Sequence, residues 1–91
     1  LRNLTKLYID ENELTEVAGK HLAESSYLTK LTHLSLGFNK LKEGGAKMLA
    51  EGQQFTKLTH LWLQSNEIKA EGLSALALAP FFKSLESLNV K

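Results

Sequence analysis

Asp10, His33 and Ser35 supply the residue types of a hydrolytic triad, and His33 with His60 supplies two imidazoles that could share a metal ion or titrate together. Whether they can act depends on where the chain puts them. All four lie in segments that alternate polar and apolar residues: Lys6-Leu7-Tyr8-Ile9-Asp10, His33-Leu34-Ser35-Leu36-Gly37 and His60-Leu61-Trp62-Leu63-Gln64. Period two marks half-buried strands, with the leucines inward and the variable residues outward. Between adjacent parallel strands, Asp10 and His33 are then four strand positions and one strand apart, roughly 14 Å. A triad needs hydrogen-bond reach, so this one is rejected. His33 and His60 occupy equivalent positions about 5 Å apart, but their column continues as Lys6 and Ser87, which gives no third ligand. No catalytic residue, metal or cofactor is expected, and the pair reads as repeated surface histidines.

The strands belong to a larger repeat. The spacing LxxLxLxxNxL occurs three times, from Leu4 to Leu14, Leu31 to Leu41 and Leu58 to Ile68. Asn12, Asn39 and Asn66 mark a constant interval of about 27 residues. A fourth strand begins at Ser87-Leu88-Asn89-Val90, and the chain stops before its own asparagine position.

After each strand an apolar residue, a small residue and a leucine recur at helical spacing: Leu14, Ala18, Leu22; Leu41, Gly45, Leu49; Ile68, Gly72, Leu76. The small column predicts that each helix lies very close to the strand layer there. Gly52 and Pro80 are expected to end the second and third helices. Leu28, Phe55 and Phe82 fall in register with Leu1 and should close the bottom of the core. Because a helix follows every strand, the strands run parallel, with sheet inside and helices outside.

The asparagines are read as structural. A buried amide must be hydrogen-bonded, and here it can serve backbone groups freed where the strand turns outward.

Leu31-Thr-His-Leu34-Ser-Leu36-Gly-Phe-Asn39-Lys-Leu41, followed by Gly44-Gly45-Ala-Lys-Met-Leu49-Ala50-Glu51, carries a resemblance to leucine-rich repeat proteins, specifically the ribonuclease-inhibitor-like subclass. The resemblance covers the whole chain. It implies an α/β leucine-rich repeat solenoid, a right-handed β-α superhelix with a curved parallel sheet on the concave side and helices on the convex side. It also implies a role in the sensor or targeting part of larger proteins, including immune receptors and bacterial effectors.

Composition narrows the function further. The 91-residue chain carries a net charge of +1 with lysine and glutamate interspersed, so no field steers it to polyanions. Lys30 and Lys57 precede their strands, but two lysines beside Asp10 and Glu11 are not the basic stripe of a nucleic-acid reader. With no cysteine, disulfides and thiolate sites are excluded. The longest apolar stretch, Leu73 to Phe82, is broken by Ser74 and Pro80 and falls short of the roughly 20 residues that cross a bilayer. No nucleic-acid or membrane partner is expected. The chain reads as a single domain, residues 1–91, of about three full repeats plus a truncated fourth, cut from a longer array. The residues do not set a compartment; a cytoplasmic location is favoured, with a secreted effector as the alternative.

What varies between copies is the outward face of the strands. Its columns are Lys6, His33, His60, Ser87; Tyr8, Ser35, Trp62, Asn89; and Asp10, Gly37, Gln64, Lys91, with Glu11, Phe38 and Ser65 at the rim. Tyr8 and Trp62 should flank Ser35 at a separation of about 10 Å, leaving a shallow notch. The reading is a non-catalytic protein-protein interaction module that presents Tyr8, His33, Ser35, Phe38, His60, Trp62 and Gln64 to a macromolecular ligand. The alternative is a structural spacer or self-association segment. Leu1, Leu4, Leu7 and Ile9 at one end, and Leu85, Leu88 and Val90 at the other, lack a polar capping repeat and could stack end to end.

Overall fold

Alternation and helical spacing resolve into a regular succession of elements. In the computed structural model, which describes residues 3–91, the order is β1 (Lys6–Tyr8), α1 (Glu16–Glu24), β2 (His33–Ser35), α2 (Lys42–Ala50), β3 (His60–Trp62), α3 (Lys69–Ala77), a 3₁₀ turn (Phe82–Ser84) and β4 (Ser87–Asn89). Leu1 lies outside the described residues. The strands form one parallel sheet in chain order. Its register follows the repeat: Lys6, His33, His60 and Ser87 align, as do Tyr8, Ser35, Trp62 and Asn89. Main-chain bonds carry the pairing past the strand ends, with Ile9 N–H donating to Ser35 O at 3.0 Å and Phe38 N–H to Gln64 O at 2.8 Å. The outward residues of each segment are therefore held on a rigid ladder. The chain forms an α/β leucine-rich repeat solenoid.

The core sits between sheet and helices and is deepest in the two central repeats. Leu31, Leu34, Leu36, Leu41, Leu49, Leu58, Leu61, Leu63 and Leu76 are inaccessible to solvent, whereas Leu4, Leu7, Ile9, Leu14 and Leu22 in the first repeat, and Leu85, Leu88 and Val90 in the last, are only partly covered. A repeat needs both neighbours to bury its faces.

Asn39 and Asn66 form a buried ladder between repeats. Asn39 Nδ2 donates to the carbonyls of Ile9, Leu36 and Gly37, and its Oδ1 accepts from the N–H groups of Asn12 at 2.8 Å and Leu14 at 3.0 Å. Asn66 repeats this toward Leu36, Leu63 and Gln64, and accepts from Leu41 N–H at 3.1 Å. Each amide ties its own turn to the repeat before it. Asn12 differs: its side chain is exposed and reaches only Asp10 O, at 2.8 Å, among the described residues.

Two expectations about packing are corrected. The small residues in the helices accommodate the neighbouring helix, and the strand layer is not what they approach. A Cβ on Gly19 would stand 2.5 Å from Gly45 O; one on Gly45 would meet Leu41 Cβ of its own repeat at 2.8 Å and Glu16 Cα of the neighbouring helix at 3.3 Å, and one on Gly72 would meet Ile68 Cγ2 at 2.6 Å and Ala46 Cβ of the neighbouring helix at 3.2 Å. In α1 the buried small residue is Gly19, with Ala18 only partly covered. The third return segment is also shifted. Phe81, 3% exposed, packs edge-on to Phe55 with centroids 5.8 Å apart, while Phe82 turns outward at 39% exposure. The Pro80 corner and the 3₁₀ turn after it place the preceding aromatic in the core.

Candidate functional site

Register alone puts Tyr8, Ser35 and Trp62 side by side on the outward face of the sheet. A serine between two large aromatics leaves a gap, and the rings close it. Tyr8 and Trp62 stack with centroids 6.2 Å apart and planes 16° from parallel. Ser35 lies under them at 5% exposure and donates its hydroxyl to Asp10 Oδ2 at 2.9 Å. The open notch expected at Ser35 is therefore absent: the chain uses that space for its own aromatic pair, and Ser35 offers no surface to a ligand. Trp62 is fixed at its far side as well, through Nε1–H donating to Ser87 Oγ at 3.0 Å.

The next column repeats the pattern with polar groups. Gly37 has no side chain, and Asp10 and Gln64 lean over it from the two flanking repeats. Gln64 Nε2 and Asp10 Oδ2 lie 2.6 Å and 2.8 Å from the point a Cβ of Gly37 would occupy. Asp10 Oδ2 also accepts from Gly37 N–H at 3.1 Å. Gln64 Oε1 is enclosed with no hydrogen-bond partner among the described residues. At both positions the small residue of the central repeat is roofed by its neighbours.

His33 and His60 stack face to face, with centroids 4.1 Å apart and planes 9° from parallel. Thr32 Oγ1 donates to Thr5 O at 3.1 Å and lies 2.8 Å from His33 Nδ1; Thr59 Oγ1 does the same with Thr32 O and His60 Nδ1. Each hydroxyl thus lies within hydrogen-bond reach of both a carbonyl and the imidazole that follows it. Parallel stacked rings keep their nitrogens side by side, so they do not converge on one metal ion. Both imidazoles also meet Trp62 edge-on, at 6.0 Å and 5.6 Å.

This arrangement supplies no imidazole to Ser35, whose partner is the Asp10 carboxylate directly. The remaining predicted residue, Phe38, sits at the rim with φ of 57° and is 56% exposed, comparable with Tyr8 at 54%. Glu11 and Ser65 share that left-handed conformation at the equivalent positions, each just before its asparagine. The turn therefore imposes the backbone, and Phe38 projects outward because of it.

Sequence reasoning placed Asp10 in its column without giving it a part in the face, and it did not use the threonine that precedes each histidine. The signal was present as Thr32-His33 and Thr59-His60. Only the third dimension shows that hydroxyl and imidazole meet.

His33 holds its proton more weakly than an ordinary imidazole, first because partial desolvation penalises the charged form, then because His60 and Lys6 repel it; Glu86 opposes the shift. The unfolded chain therefore takes up this proton first as the pH falls below about 6.5. This group's contribution to stability is constant above that value, and is lost as the pH drops from there through the lowered folded value. The melting temperature of the wild type should fall more steeply over this interval than that of His33→Gln. Parallel profiles would contradict the assignment.

A family model described as "Leucine Rich repeat" matches residues 27–50 and 56–77, which together make up just over half of the chain. No curated protein and no solved structure gives a significant match.

Proposed function

Because this chain belongs to the leucine-rich repeat family, whose repeats generally serve protein interaction, we propose that it is a non-catalytic recognition module taking a protein ligand on the outward face of its sheet. The observation that carries this reading is the aromatic cluster: Trp62 contacts Tyr8, His33 and His60 and is fixed by Ser87. Tryptophan and tyrosine are the residue types that dominate binding energy at interfaces. Side chains already held in one arrangement lose little freedom when a partner arrives. Tyr8, Phe38, Trp62, His33, His60 and Gln64 form the proposed contact surface, with Ser35 beneath it as support.

A helix of nine residues outside the sheet in each of the three repeats supports the ribonuclease-inhibitor-like subclass. Self-association through the last repeat is less well supported. Leu73 stands where Ala46 stands one repeat earlier, and Ala46 Cβ lies only 3.2 Å from the Cβ position of Gly72. A leucine there leaves too little room for another helix at the same spacing.

The test is partner capture with the wild type, Trp62→Ala and, as a control on the helical side, Val17→Ala. Loss of a hot-spot residue of about 2 kcal/mol weakens binding roughly thirtyfold. Trp62→Ala should lose partners that Val17→Ala retains. Equal recovery of every partner by all three proteins would count against this face.

A further inference from the structure

The histidine end of the face fits one kind of contact from the partner, an inference that rests on the sheet-face reading above. Each ring is anchored through one nitrogen, with Nδ1 of His33 and of His60 lying 2.8 Å from the hydroxyl of the threonine before it. The other nitrogen, Nε2, has no hydrogen-bond partner among the described residues. Both Nε2 atoms reach solvent, because Gln64 Oε1 is the one buried side-chain nitrogen or oxygen without a partner among those residues. The rings are 4.1 Å apart, 9° from parallel and anchored in the same way, so the two Nε2 atoms stand side by side at roughly the ring spacing.

Lys6 extends this row. It aligns with His33 on the neighbouring strand, about 5 Å away, is exposed, and makes no hydrogen bond or ion pair among the described residues. Two further charged or titratable groups act on His33: His60, which disfavours its proton as Lys6 does, and Glu86, just before β4, which favours it. Glu86 forms no ion pair with either ring among the described residues. Trp62 meets both imidazoles edge-on, so the row borders the proposed anchor.

A metal ion needs lone pairs that converge on a point. A carboxylate offers two oxygens, and two N–H donors side by side with an ammonium next to them suit it. Charge narrows the choice further. One proton on the imidazole pair and the charge of Lys6, set against Glu86, leave a single positive charge, which matches a carboxylate. A phosphoryl group carries about −1.5 to −2 and would meet stronger repulsion from Glu86.

The geometry points to a seat for a glutamate or aspartate side chain of the partner protein, formed by Lys6, His33 and His60, with a proton taken up by the imidazole pair on binding. In the free protein, desolvation and the repulsion of His60 and Lys6 disfavour that proton, and a bound carboxylate favours it. Affinity therefore rises as the pH falls from the pKa of the complex towards the lower pKa of the free protein, by up to about tenfold per pH unit. Below that it is level until the ligand's own carboxyl protonates near about 4.3.

The full chain is titrated with N-acetyl-glutamate amide, with its uncharged analogue N-acetyl-glutamine amide and with inorganic phosphate, at about pH 6 and about pH 8, following the imidazole signals of both histidines and the Trp62 indole. Glutamate amide should shift the imidazole signals, bind at least about tenfold more tightly at the lower pH, and exceed glutamine amide there by a similar factor. His33→Gln and His60→Gln should each remove most of the pH dependence, Glu86→Gln should strengthen binding, and Lys20→Gln on the helical side should change nothing. If the histidine variants do not fold, Lys6→Gln carries the test: its side chain is exposed, and its loss should weaken glutamate binding severalfold. Equal response to glutamate and glutamine amides, no response to either, tighter binding of phosphate, or an affinity independent of pH overturns the seat. Partner capture lost in Trp62→Ala and normal in Lys6→Gln and both histidine variants would overturn the seat and leave the sheet-face reading standing. Glutamate binding at the imidazoles with capture insensitive to Trp62→Ala would do the reverse.

Discussion

Asn39→Ala lowers the unfolding free energy by about 2–4 kcal/mol, and Asn12→Ala, the same substitution one repeat earlier, changes it by about 0.5 kcal/mol or less. The difference lies in what each amide serves. Asn39 Oδ1 accepts from the N–H groups of both Asn12 and Leu14, for which no other acceptor is seen among the described residues. Two of the carbonyls its Nδ2 serves have further donors, Leu36 O being also bonded by Asn66 and Gly37 O by Glu11 N–H, while for Ile9 O no other donor is seen among the described residues. Removing the side chain therefore strands two donors, at about 1–3 kcal/mol each, offset in part where water reaches them. Asn12 is exposed, and its side chain makes a single bond to Asp10 O that water can replace. An array near the minimum number of repeats has little stability in reserve, so the loss at Asn39 should be visible as a large drop in melting temperature. Equal melting of the two variants would refute the ladder.

Gly19→Ala destabilises the protein by about 1–2 kcal/mol, and Gly44→Ala leaves it unchanged or stabilises it by up to about 1 kcal/mol. Both glycines lie in helices, where alanine alone would be worth up to about 1 kcal/mol. What each new methyl meets decides the sign. At Gly19 it falls 2.5 Å from the carbonyl oxygen of Gly45, and that backbone can yield only if α1 and α2 separate. Gly44 has the Glu16 carboxylate in the way, the far end of a flexible and exposed side chain that can swing aside. Gly19→Val should cost more than Gly19→Ala, since its added methyls point into the same helix. Chemical denaturation of the three variants checks the order. A Gly19→Ala protein as stable as the wild type would show that the helices are not in contact at that point.

Most of the scaffold was legible in the residues. Alternation around Leu7, Leu34 and Leu61 gave the strands and their faces, and the asparagine interval gave the register, because identical spacing leaves only one way to stack the copies. The errors share a cause. The small helical residues were assigned to the strand layer although their neighbours are other helices, and Phe82 was placed in the core although the Pro80 corner turns Phe81 inward. Both depend on contacts between segments that no spacing within one repeat records.

The candidate site was legible as a set of columns and illegible as a surface. Tyr8, Trp62, His33 and His60 were correctly assigned to one face, since period two and register determine that. That Tyr8 and Trp62 close over Ser35, that Asp10 and Gln64 meet above Gly37, and that each threonine hydroxyl meets the imidazole of the histidine after it were not. The repeat by itself determined the solenoid, the parallel register and the side on which each variable residue stands, because backbone geometry has the same period in every copy. Tertiary structure alone decided which of those residues remain exposed and which oxygens lack a donor, because side chains from different repeats fill the space a small neighbour leaves.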